Sequence, residues 1–256
     1  MRTIAFLGAL ATAGALGAAS PAAAQTTPEV TAFCDAGLKA DKASNAAFST
    51  RKPSNKVQGE LQSALSEVES TAPAEIAPTV QTVVNEVRTA VQQGNEPDEE
   101  VLGPNLNMIN EYRYNSCGYQ QLDVTGIEYE FQGLPRTLPA GKAAIRFTDN
   151  GAEIHELDLV RVKSKDSAKK VAGMSEKDLA KKTENVANTF VSQGQTSYTI
   201  ADVSKPGRYV AICHLPVGAT SDQALEHAGH DAKTHAQQGM YQEIRVTASS
   251  TATSAP

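Results

Sequence analysis

The feature that most restricts this chain is a change of hydrophobic period near residue 119. Upstream, apolar residues recur every three or four positions, as one face of a helix requires. Downstream they alternate, as a half-buried strand requires. Residues 28–118 are therefore read as a helical domain. Thr27-Pro28-Glu29 offers an N-cap, a proline suited to the first helical position and an acid near the positive helix end. Val30, Phe33, Cys34 and Leu38 follow on one face, and Val57, Leu61, Leu65 and Val68 form a second stripe. Ile76, Val80, Val83, Val84, Val87 and Val91 make a third, ended by Gly94 where helices commonly stop. Leu102, Leu106, Ile109, Tyr112 and Tyr114 outline a fourth that Gly103-Pro104 breaks. Glu96, Asp98, Glu99 and Glu100 sit near its start, where the helix dipole favours acids, and this reading is preferred to a cation site. Four such stripes predict a small helical bundle.

From residue 120 to 247 the alternation predicts the short strands of a β-sandwich or barrel. Val124, Ile127, Tyr129 and Phe131 are read as one strand with a slip near Gly126. Ala143, Ile145 and Phe147 form another, and Leu157, Leu159 and Val162 a third. Tyr198–Ile200, Tyr209–Ile212 and Tyr241–Val246 supply three more, with one helix expected near Glu176–Phe190. The Ser/Thr/Ala-rich residues 248–256 read as a loose tail.

Residues 1–24 read as an export leader. Arg2 is a short positive start, Ile4 to Ala19 is apolar, and Ala22-Ala23-Ala24 is a small-residue cleavage site before Gln25. The apolar run is short for a bilayer span, and no later segment is apolar enough to make one. A periplasmic or extracellular destination is expected. There, three cysteines are one too many for pairs. Cys34 lies on the first helical stripe and Cys117 just past the last, so a bridge between them would tie the ends of the bundle and leave Cys213 as the odd thiol.

The formal net charge of −6 disfavours a nucleic-acid partner. There is no Walker loop, GxGxxG or GxSxG, and Leu159 stands where an HExxH motif beginning at His155-Glu156 needs its second histidine. No acid–base pair is visible, so the chain is not read as an enzyme.

All five histidines and the odd cysteine fall in the β half. His155, Cys213, His235 and Met240 together form the donor set of a type 1 copper site, in which two imidazoles and a thiolate hold the metal and a thioether binds weakly. Three stretches carry a family resemblance: Phe147-Thr-Asp-Asn-Gly-Ala-Glu-Ile-His155, Gly207-Arg-Tyr-Val-Ala-Ile-Cys213, and His235-Ala-Gln-Gln-Gly-Met240 before the last strand. On these residues 122–247 resemble a cupredoxin of the plastocyanin/azurin family, and the whole chain resembles exported bacterial proteins with a Cys-tied helical domain ahead of such a domain. The resemblance selects the antiparallel β-sandwich over a barrel. It implies His155, Cys213 and His235 as in-plane ligands of one copper ion, with Met240 axial.

Two departures from the family stand out. Twenty-one residues separate Cys213 from His235, where well-known members have only a few. The segment 219–234 is either a surface excursion that leaves both ends in place or a break that detaches His235. Glu156 stands where plastocyanin-like chains commonly carry Asn, and it would bond backbone amides or alter the metal's surroundings. His227 and His230 have a separate reading as second metal contacts in a metal-catching loop, although a polar solvated loop is preferred. Arg161 to Lys182 holds eight basic residues against three acids, a patch for an acidic redox partner or, preferably, a solvated helix face. The expectation is an exported copper protein for electron transfer or extracytoplasmic copper handling. The alternative is a metal-free interaction or envelope-associated module on the same scaffold.

Overall fold

The computed structural model describes residues 26–49, 53–221, 224 and 232–249. The leader expected at 1–24, His227, His230 and residues 250–256 of the expected tail lie outside the described residues. Four helices come first: α1 (Pro28–Phe48), α2 (Asn55–Thr71), α3 (Ala77–Gln93) and α4 (Glu99–Ser116). The first two starts have a local cause. The Thr27 hydroxyl caps α1 by accepting from Val30 N–H, and Ser54 caps α2 in the same way. Gly94 ends α3 in the left-handed region (φ 69°), a conformation that costs glycine least. The expected break at Gly103-Pro104 does not occur: α4 runs through Pro104. The proline lies in the second turn, where it removes the bond to the Glu100 carbonyl, and the Asn105 side-chain amide bonds the neighbouring Val101 carbonyl at 2.7 Å.

Phe33, Leu61, Leu65, Val80, Val84 and Val87 are fully or almost fully buried in the core of this bundle. Cys34 and Cys117 form a disulfide, with Cα atoms 5.8 Å apart. Beside it Arg113 is 1% exposed between α1 and α4, its Nη1 donating to Asp41 Oδ2 (2.9 Å) and Asn110 Oδ1 (3.1 Å). Gly37 makes room for it, since a Cβ there would stand 3.2 Å from the guanidinium.

Among the described residues the second half holds nine strands: β1 (Gln120–Ile127), β2 (Glu130–Gln132), β3 (Thr137–Pro139), β4 (Lys142–Asp149), β5 (His155–Val162), β6 (Thr183–Val191), β7 (Thr196–Asp202), β8 (Gly207–Ile212) and β9 (Tyr241–Thr247). They form two sheets in the orders β2-β1-β4-β7 and β3-β9-β8-β5-β6. The sandwich is mixed rather than antiparallel, because β1 pairs parallel with β4 and β3 parallel with β9. The chain reaches β4 only after visiting the other sheet as β3, so it re-enters in the same direction as β1.

Two further corrections concern single elements. The strand read through Val124–Phe131 is a hairpin, turned at Glu128-Tyr129, with Tyr129 at φ 64°. The helix read over 176–190 is shorter. Helix α5 (Ala168–Ala172) and helix α6 (Glu176–Lys182) are followed directly by β6, in which Ala187, Thr189 and Val191 alternate inward and Phe190 faces out. A last helix, α7 (His235–Gln238), precedes β9. The basic run folds over α5 and α6, where Asp166 pairs with both Lys170 and Lys182.

Between the sheets pack Val124, Phe147, Leu157, Tyr209, Met240 and Ile244. The helical half rests on the outer face of the four-stranded sheet. There Tyr114 packs on Ala144 and Ile200, its ring 5.5 Å from that of Tyr198. Asn107 and Asn110 hydrogen-bond the backbone of β7 from α4.

Replacing Cys34 and Cys117 by alanine opens a closed loop spanning 83 positions. Unfolding followed by denaturant should show a loss of about 4 kcal/mol. An unchanged midpoint would mean that the bundle does not depend on the bridge.

Candidate metal centre

Strand pairing brings the candidate donors to one end of the inter-sheet core. His155 is the first residue of β5, on the inward face with Leu157 and Leu159, and Cys213 follows β8 on the face of Tyr209 and Ala211. Met240 immediately precedes β9, and His235 opens α7. His155, Cys213, His235 and Met240 are all fully buried.

Backbone bonds close the arrangement. Cys213 N–H donates to Met240 O (3.1 Å), Ala236 N–H to Cys213 O (2.8 Å), and Met240 N–H to His235 O (2.9 Å). The long spacing between Cys213 and His235 does not separate them. Val217 N–H donates to Lys233 O (2.8 Å) and His235 N–H to Leu215 O (2.9 Å), so a short antiparallel ladder returns the chain to the site. Both described ends of the segment therefore stay at the site.

Cys213 Sγ lies 3.3 Å from His235 Nδ1, and the rings of His155 and His235 are 4.9 Å apart. Two donors sharing one first-row metal ion stand about 3.5–3.8 Å apart, so the first pair is close to a ligating separation. The thiol is the free cysteine, and burial pushes it up to about 12. Burial also lowers His235 below the ordinary histidine value. The pair is therefore a neutral thiol facing a neutral imidazole, and metal binding would have to displace the thiol proton.

His155 is oriented differently. Its Nδ1 is 3.0 Å from Asp149 Oδ1 on a fully buried carboxylate that also accepts Gly151 N–H at 2.8 Å. Its Nε2 is buried and has no partner among the described residues. Gly126 and Gly151 make room for this ring, because a Cβ at Gly151 would lie 2.5 Å from His155 Cε1 and one at Gly126 would lie 3.1 Å from His155 Cβ. Among the described residues no group of three or more His, Cys, Asp and Glu side chains stands ready to hold a metal ion. Cys213 and His235 face each other, while Asp149 holds His155.

Glu156 does what a backbone-bonding carboxylate would do. Its N–H donates to Cys213 Sγ (3.4 Å) and its Oε1 accepts His214 N–H (2.6 Å), which fastens the cysteine turn to β5. On the outer face of the five-stranded sheet it lines a cavity of about 670 Å³ with Asp158, Glu176, Asn185, His214 and Leu179. Neither this cavity nor the roles of Asp149 and Glu153 follow from periodicity or motif. The only sequence signal for the two acids was their place in the stretch leading to His155.

No protein-family model matches the sequence, and no curated protein matches it. Solved structures similar to its second half include dithionite-reduced auracyanin from Roseiflexus castenholzii (16% identity, 50% of this chain and 97% of that chain, TM-score 0.32). They also include auracyanin B (18%, 50% and 88%, TM-score 0.33). A third is auracyanin A, a "blue" copper protein from Chloroflexus aurantiacus (18%, 50% and 98%, TM-score 0.31).

Burial pushes the Glu156 carboxyl up from 4.5 to about 7, against the lowering effect of His214 N–H. The folded chain then keeps a proton that the unfolded chain loses between these values, so stability falls as pH rises through that window. Glu156→Gln, which keeps the acceptor oxygen, should stabilise the metal-free protein by about 2 kcal/mol at pH 8 and leave it unchanged at pH 4. Equal denaturation midpoints for the two proteins at pH 8 would show that Glu156 carries no buried charge.

Proposed function

We propose that this chain is an exported copper protein whose sandwich holds one copper ion in a type 1-like site, for electron transfer or extracytoplasmic copper handling. The observation that carries this reading is the buried Cys213 Sγ–His235 Nδ1 pair at 3.3 Å, with the His155 ring beside it. The donor chemistry fits: a thiolate and a thioether are soft ligands for Cu(I), and imidazoles serve both oxidation states. The partnerless Nε2 of His155 is a buried polar atom of the kind that a metal would satisfy. Cys213, His235 and His155 would hold the ion, with the Met240 thioether as a further weak donor. Copper would supply one-electron chemistry. The protein residues would exclude water and keep the donors in place between two sheets that cannot move far.

The Cys34–Cys117 disulfide fits an oxidising compartment, and no helix among the described residues is long and apolar enough to cross a membrane. One observation favours the competing reading of a metal-free envelope module: Asp149 already occupies Nδ1 of His155.

Adding Cu(II) to purified protein should give one bound ion and an intense visible band from sulfur-to-copper charge transfer. Cys213→Ser should abolish the band, and Met240→Leu should keep it while shifting the reduction potential. Alanine at His227 and His230 together should leave the stoichiometry at one. Failure of folded, reduced protein to take up Cu(II), or uptake without the band, would leave the metal-free module as the reading.

A further inference from the structure

The His235 imidazole is held on its far side by Glu153. His235 Nε2 lies 2.8 Å from Glu153 Oε2, and the same oxygen accepts Gly218 N–H at 2.5 Å. The other oxygen, Oε1, accepts the Tyr129 hydroxyl at 3.4 Å, and the Tyr129 ring stands edge-on to His235 with centroids 5.3 Å apart. Glu153 is itself anchored, its N–H donating to Glu128 Oε1 at 3.0 Å. Its side chain is 15% exposed and that of His235 is not exposed at all, so the imidazole has no open solvent as an alternative to this carboxylate.

We propose that Glu153 is the positioning residue of this centre, fixing His235 as the Nε2–H tautomer so that its Nδ1 lone pair faces Cys213. The assignment of a role toward a metal rests on the copper reading above; the tautomer itself does not. A neutral imidazole carries one ring proton and an ionised carboxylate can only accept, so the proton sits on Nε2. Nδ1 is then the acceptor for the Cys213 thiol and the atom left for a metal. Histidine ligands in metal sites commonly donate their second N–H to a carboxylate in this way, and loss of that outer partner typically lowers metal affinity 10–100-fold. His155 lacks such preparation at Nδ1, because Asp149 occupies that nitrogen. The two imidazoles are thus held through opposite ring atoms, and His235 alone presents Nδ1 to the thiol. Gly218 adds a link. The oxygen that orients His235 also fastens the start of the excursion beyond Cys213, so the loop base and the ligand share one anchor.

Long-range ¹H–¹⁵N correlation spectra of full-length, ¹⁵N-histidine-labelled protein without metal report the tautomer directly. His235 should carry its proton on Nε2 in the wild type. Glu153→Ala should give a tautomer mixture, and Glu153→Gln, which retains an acceptor oxygen, should restore the wild-type pattern. In competition titrations with a chelator, Glu153→Ala should bind Cu(II) 10–100-fold more weakly, with a shifted visible band. A wild-type His235 protonated on Nδ1 overturns the proposal whatever the variants do, as does a folded Glu153→Ala protein with unchanged tautomer and affinity. If the wild type takes up no copper while the tautomer responds to Glu153 as described, the Glu153–His235 assignment stands and the copper reading falls.

Discussion

The site depends on the antiparallel pairing of β5, β8 and β9 at the centre of the five-stranded sheet. That ladder fixes Asp158 opposite Ile212 and Ile212 opposite Tyr241, so the residues at the strand ends meet at one edge of the core. His155, Cys213 and Met240 are such residues, and α7 delivers His235 among them. Burial then imposes its own demand. Polar atoms removed from water need partners, and Asp149, Glu153 and Glu156 each supply one to a different donor or its turn. The Asp149 and Glu153 carboxylates answer the imidazoles placed between the two sheets, whereas Glu156 reaches the thiol through its backbone N–H.

The helical half is fastened to the opposite side of the sandwich. Tyr114 lies at the junction, its ring on Ala144 and its hydroxyl donating to Asp123 Oδ1 at 2.7 Å. Tyr119 reaches back to the carbonyl of Cys34 at 3.1 Å, which joins the start of the sandwich to the disulfide. Arg113 nearby is fully buried with two of its nitrogens unpartnered. A buried ion pair of this kind is weak evidence for net stability.

The long periodic elements were legible because burial and period agree along them. The third helical stripe, its Gly94 stop and the alternating strands through Phe147, Leu157 and Tyr209 are examples. The hairpin at Glu128-Tyr129 was not, because a tyrosine in the left-handed region carries no turn signature. Strand β6 was hidden as well. It follows a true helix without a break, and its outward Phe190 disguises the alternation. The parallel pairings are set by which sheet the chain visits next, which local pattern does not encode. The four candidate donors could be named because their residue types and order are distinctive. Their supporting acids could not be, since a glutamate two positions before a histidine has no meaning until the fold shows what it touches.

The short ladder between residues 215–217 and 233–235 also defines a place where sequence length is free. The rungs pair the two ends of the segment beside Cys213 and His235, and the entropy of closing a longer loop grows only slowly. A search for relatives that fixes the number of residues between the two would pass over chains built like this one. A protein engineer wishing to graft a peptide close to a buried thiol–imidazole pair has a ready insertion port here, with both of its posts already set.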